Sequence, residues 1–230
     1  MKQFAAFLLV SLALVGTAFA RTGLKLPCQP YPSCLAPDSK ASPLESQTKP
    51  TPFGFYAGMT RAQVIALVGK DGFKEPPEYP NLMKVNTSPI PNRTFESYLL
   101  IISPSQGLLK ISAVGKDVTT GDDGSEVMSA FNTVVDALRT KYGAPTDKFN
   151  NCSGNDTECD DSQYFMLSLR HSIRTVAAYW GMNRHINGIA SIAVKLHPAS
   201  MNSGYVTVGY EFEGFEQYAD QKTAEENNSY

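Results

Sequence analysis

GSEVMSAFNTVVDALRTKYGAP, residues 124–145, is the stretch that decides the fold. Val127, Phe131, Val134, Val135, Leu138 and Tyr142 recur at helical spacing, with Asp136, Arg139 and Lys141 between them. That pattern is an amphipathic helix with one apolar face. Gly124-Ser125-Glu126 marks its start, with a Ser placed to accept backbone N–H bonds and a carboxylate in the first turn. Lys141, Gly143 and Pro145 mark its end: a cation, a residue able to go left-handed, and one that cannot continue a helix. A helix with one apolar face needs a layer to cover, and strand-like runs lie on both sides of it.

Upstream, 97–103 (SYLLIIS) is nearly all apolar, as in a strand covered on both faces or central in a sheet. Residues 107–116 (GLLKISAVGK) alternate, with Leu109, Ile111 and Ala113 to one side, and 104–107 (PSQG) reads as the hairpin turn between the two runs. Residues 60–69 predict a short helix: Thr60 and Gln63 form a capping box, Val64, Leu67 and Val68 an apolar face, and Gly69 the stop. A polar, Pro-rich loop is expected over 75–93. Downstream, 147–161 reads as a polar loop, 163–172 as a helix, and 174–180, 188–196 and 204–213 as three strands with turns at 183–187 and 198–203. The expected fold is α+β, with helices packed on one face of an antiparallel sheet. Residues 53–218 would form this domain. Each half opens with a Gly-terminated helix and continues into strands, which points to two related units, 53–118 and 119–218. Residues 219–230 are expected to be a fraying polar tail.

The chain begins with Lys2, an apolar run from 4 to 15, and small residues at Ala18 and Ala20. That describes a secretory signal peptide over 1–20, too short for a good membrane anchor. Cutting after Ala20 removes Lys2 and takes the formal net charge one unit below −2. An acidic balance without clustered Lys and Arg argues against nucleic acid and anionic membrane as partners. Residues 21–52 carry seven prolines and little periodicity, as a linker or surface arm would. Four cysteines sit as two close pairs, Cys28 with Cys34 and Cys152 with Cys159. Four cysteines allow three connectivities; the short, flexible loops favour the local pairing, and export favours disulfides over zinc. Cys28 follows Leu26-Pro27 rather than a small residue, so it is no lipoprotein cysteine. A periplasmic or secreted protein is the expectation.

Phe55-x-x-Gly58-Met59-Thr60-x-x-Gln63-Val64-x-x-Leu67-x-Gly69 resembles the opening of bacterial envelope domains of the SmpA/OmlA (BamE-like) type. A tandem arrangement of such units is similar to that of the β-lactamase inhibitor protein. The match covers residues 55–69 of the 230. The resemblance implies a helix capped on a small antiparallel sheet, and a binding module of the envelope with no active site of its own. This chain departs from the BamE pattern in lacking a lipidated cysteine and in being longer.

The motifs of catalysis are missing. There is no G-x-S-x-G, no H-E-x-x-H and no phosphate-cradling Gly loop. His171, His185 and His197 have no helical ligand spacing, so no metal site and no cofactor is expected from them. Asp156, Glu158, Asp160 and Asp161 offer carboxylates for calcium but lack the EF-hand order; a solvated disulfide loop is the plainer reading. An exported hydrolase using Glu211 and Glu213 with a histidine is the competing reading.

Alternation in the last three strands assigns two faces. Val206, Val208, Tyr210 and Phe212 point one way, with Ala190, Ile192, Val194 and Leu196 and with Val176, Ala178 and Trp180. The opposite set is small and polar with two tyrosines. Tyr179, Lys195, Tyr205, Thr207 and Glu211 are therefore the candidate binding residues, for another protein. Plain solvent exposure of the same face is the alternative.

Overall fold

In a computed structural model, the described residues are 51–153, 159 and 161–228, without the side chains of 182–185. The expected signal peptide, residues 21–50 of the arm, the Cys28–Cys34 pair, and Asp156, Glu158 and Asp160 lie outside them. The described residues belong to one compact unit, Thr48–Tyr230.

Nine strands form one antiparallel sheet among the described residues. They are β1 (Phe73–Lys74), β2 (Leu82–Val85), β3 (Phe95–Ser103), β4 (Gly107–Gly115), β5 (Val118–Thr119), β6 (Asp147–Cys152), β7 (Arg174–Ile186), β8 (Ile189–Pro198) and β9 (Ser203–Phe212). The helices are α1 (Arg61–Val68), α2 (Ser125–Tyr142), α3 (Phe165–Arg170) and α4 (Phe215–Asn227). Across the sheet the order is β1-β2-β3-β4-β9-β8-β7-β6, with β5 paired to the end of β9. That order is a palindrome about the β4–β9 pair. Four meandering strands follow α1, and four follow α2 with α3 inserted.

The long helix is where its spacing puts it. Val127, Phe131, Val135 and Leu138 are buried against β8 and β9, whose inward residues Ile192, Val194, Val206 and Val208 complete the layer. At its start, the side chain of Ser125 does not cap. Gly124 takes the N-cap with φ +66, and a Cβ there would run into the Phe165 ring. The Glu126 carboxylate instead gathers the local donors: Thr120 Oγ1 at 2.7 Å, Ser125 Oγ at 3.0 Å and Gly121 N at 3.3 Å. Those bonds, led by the one from Thr120, hold its pKa down to about 2.

At α1 the capping box forms: Gln63 N donates to Thr60 Oγ1 and Thr60 N to Gln63 Oε1. Its buried face differs from the expected one. Val64, Ile65 and Val68 pack on the core while Leu67 is 51% exposed. Backbone bonds from Gly58 N to Leu108 O and from Leu108 N to Met59 O dock the segment before α1 onto the β3–β4 hairpin.

Four further expectations are corrected. The loop expected at 75–93 contains β2, which Met83 and Val85 anchor in the core. The loop expected at 147–161 begins with β6; its residues are polar because it is an edge strand with little to bury. The turn expected at 183–187 is two residues long. Asn187 (φ +56) and Gly188 (φ +75) make it, the Asn-Gly pair that right-twisted hairpins favour, so β7 runs on to Ile186. The tail expected from 219 is helical to Asn227.

The fourth helix also changes the layering. α1, α2 and α3 pack on the core side, but α4 crosses the other face. Lys110 Nζ lies 4.5 Å from the Phe215 ring centre, and Asn81 Nδ2 donates to Tyr218 Oη at 2.7 Å. In register, Lys110 pairs with Ile101 and Ile101 with Leu82, so the two contacts bracket β3. This accounts for the apolar outer residues Leu99 and Ile101 of that strand, which are half-buried. Leu109, set apart by a bulge in β4, is buried beside Gly214.

Candidate docking face

The pleat sorts the side chains as the alternation requires. Val206, Val208, Tyr210 and Phe212 are buried, and Tyr205, Thr207, Gly209 and Glu211 are half-buried on the other side. Two neighbours depart from it. Ile189, expected outward, is fully buried, and Ala190, expected inward, is only half-buried, because the ladder shifts register between Ile189 and Ser191.

Cross-strand register groups the outer residues into rows. Phe149, Ala177, Lys195, Thr207 and Val114 form one row across β6, β7, β8, β9 and β4. Asp147, Tyr179, Ala193, Gly209 and Ser112 form the next. His197 and Tyr205 pair on the far side of the Lys195 row. Tyr179, Lys195, Tyr205 and Thr207 are therefore near neighbours on the half of the sheet that α4 leaves open.

Their contacts are mutual. The Phe149 and Tyr179 rings meet edge to face at 5.8 Å, and Lys195 Nζ stands 5.8 Å over the Tyr179 ring. The His197 ring stacks on Tyr205 at 5.2 Å, and its Nε2 lies 3.0 Å from Thr207 Oγ1. Burial, with a lesser push from Lys195, lowers the His197 pKa to about 4, so the ring is neutral at pH 7. Phe149 is 39% exposed. The patch is aromatic rings around one lysine, a composition that suits a contact surface. Nothing in the polar segment 147–161 announced Phe149 as part of it; only pairing to Ala177 brings the ring there.

Glu211 does not join them. It sits in the row beyond Tyr179, two from Lys195, where Oε1 accepts from Lys110 Nζ at 2.9 Å and Oε2 from Ser191 Oγ at 2.8 Å. Tyr205, the partner of His197, is six residues from Glu211 along β9, which puts this histidine about 20 Å from that carboxylate. His171 follows α3 and is exposed, and the side chain of His185 is not described. A recess of about 230 Å³ between the α2 entry, α3 and the β8–β9 turn is lined by Asp122, Gln163, Tyr164, Leu167 and Met201, with one carboxylate and no histidine. No group of three or more His, Cys, Asp or Glu suited to a metal occurs among the described residues.

Arg174, which the sequence did not mark, ties this half together from the core side. Its guanidinium donates to Ser168 Oγ at 3.1 Å, to Asn150 Oδ1 at 2.8 Å and to the Cys159 carbonyl, and it lies 4.9 Å over the Phe165 ring. Cys152 and Cys159 are disulfide-bonded, with Cα atoms 6.2 Å apart. No helix of the described residues is long and apolar enough to cross a membrane. No family model, curated protein or solved structure matches the chain.

Proposed function

We propose that this chain is an exported, non-catalytic protein-binding module of the bacterial envelope, of inhibitor or immunity type or an assembly accessory. It engages its partner through the open half of its sheet. The observation that carries the reading is the patch of Phe149, Tyr179, Lys195, His197 and Tyr205, laid on rigid strands and left uncovered by α4. Aromatic side chains on a preorganised surface give contact area at small entropic cost. The Cys152–Cys159 disulfide and the signal-like residues 1–20 support a periplasmic or secreted location. The resemblance of residues 55–69 to SmpA/OmlA-type domains supports a binding role in the envelope.

Site-specific photo-crosslinking tests the reading. A photoreactive phenylalanine analogue at Tyr179 should capture one discrete protein in cells that export the chain. The same analogue at Leu67, on the helix side, should capture none. Equal capture at both positions, or none at Tyr179, would refute the proposal.

A further inference from the structure

Five of the twelve asparagines open an N-x-S/T triplet with no proline at its centre: Asn86, Asn92, Asn151, Asn155 and Asn227. In an exported chain that triplet is the acceptor for an N-linked oligosaccharide, and it belongs on a surface loop. The fold separates the five. Asn155, and Ser229 that completes the Asn227 triplet, lie outside the described residues. Asn151 is on β6, two residues from Phe149 and so on the same face, with the disulfide-bonded Cys152 at the centre of its triplet. A glycan there would stand beside the aromatic patch. Asn86 is exposed, but Ser88, which completes its triplet, is buried, with its Oγ donating to Ile90 O at 2.8 Å.

Asn92-Arg93-Thr94 is different. All three residues are exposed, in the connection between β2 and β3. Asn92 Oδ1 accepts from Thr94 N at 2.9 Å, and Phe95 N donates to Asn92 O at 3.2 Å. These bonds form an Asx turn that draws the carboxamide oxygen to the chain. The other end of that carboxamide, Nδ2, makes no hydrogen bond among the described residues. The loop is docked by Ile90 N donating to Phe53 O and Lys116 N to Thr94 O. Its β3 end is four strand spacings from β7, so it stands about 19 Å across the sheet from the strand of Tyr179. A second feature of the loop calls for a cover. Ile90, at 59%, is the most exposed large apolar side chain among the described residues, and Pro89 and Pro91 stiffen the backbone around it. A sugar on Asn92, two residues away, would shade it.

We propose that Asn92 is an N-glycosylation site. The donor is an oligosaccharide linked to a lipid diphosphate, and the exporting membrane must carry the transferase that uses it. Asn92 Nδ2 bonds to C1 of the first sugar as the C1–O bond to the diphosphate breaks. The amide gives up one proton, the lipid diphosphate leaves with the bonding electrons, and nothing is oxidised or reduced. The proposal rests on the export part of the reading above and takes nothing from the docking face.

Mass spectrometry of the chain recovered from the exported fraction of the cells that make it tests the proposal, with fragmentation to assign any sugar to a residue. Asn92 should carry one oligosaccharide. Asn92→Gln and Thr94→Ala should each remove it, and Thr94→Ser, which keeps the hydroxyl of the triplet, should retain it. Circular dichroism establishes that each variant is folded. An unmodified Asn92 in the exported chain, sugar on other asparagines only, or sugar on Asn92 that survives Thr94→Ala would overturn the proposal and leave the docking face standing. A chain found only inside the cell, with residues 1–20 still attached, would overturn this proposal and the export reading together.

Discussion

Burial on the outer face of the sheet constrains the charge of His197. Its pKa is about 4 in the folded protein, against an ordinary 6.5. Between those values the unfolded chain holds a proton that the native one does not, so stability is full above about pH 6.5 and falls as pH drops toward 4. The shift corresponds to about 3 kcal/mol at its limit. His197→Gln should remove this contribution. Denaturant midpoints at pH 4.5 and 7 should therefore differ less in the variant than in the wild type; an unchanged difference would mean that the ring titrates normally. Two other substitutions separate the faces. Phe212→Ala opens a cavity in the core and should cost about 2 to 5 kcal/mol. Tyr179→Ala, on the open side, should cost within about 1 kcal/mol. Urea unfolding measures both, and equal losses would contradict the assignment of faces.

At the scale of the element, legibility followed how local the signal was. The apolar stripe of α2 and the capping box of α1 are written in neighbouring residues, and both form. The alternation of β8 and β9 is local as well, and it sorts their faces apart from Ile189 and Ala190, at the register shift. β6 is hidden in the sequence because an edge strand buries too little to show a clear period, and β2 because its alternation, with Met83 and Val85 inward, spans only four residues. α4 went unread for a similar reason. Its half-buried residues Phe215, Tyr218, Ala219, Lys222 and Thr223 include two polar ones, and the helix rests on a sheet face that was expected to be bare. The Asn187-Gly188 turn was readable in principle, and the polar run before it disguised the length of β7. The Cys152–Cys159 link joins β6 to the segment that Arg174 anchors. By the chain-entropy relation its short loop contributes roughly 2 to 3 kcal/mol. Replacing both cysteines by Ser should lower the melting temperature by about 5 to 10 °C for a domain of this size. Calorimetry checks this, and a drop of under a degree would mean that Arg174 alone fixes the segment.

The described residues form a palindromic sheet with its core under α1, α2 and α3 and its outer face divided. α4 lies over the β2–β4 end, and the aromatic patch occupies the β6–β9 end. Of the five candidate binding residues, four are gathered on that open half, and Glu211 is drawn into a structural bond with Lys110 and Ser191. Sequence alone could name the face but not its extent. Its membership depends on which strand lies beside which, and on a helix from the far end of the chain. The central claim is that this open half binds another protein. Its most direct test is quantitative affinity capture from an envelope extract, comparing the wild-type chain with Tyr179→Ala/Lys195→Glu and with Leu67→Ser, each verified as folded. The account predicts a stoichiometric partner that the wild type and Leu67→Ser retain and that the double variant loses at least tenfold, since anchors of an interface each contribute about 1 kcal/mol or more. Retention by the double variant at the wild-type level would contradict it.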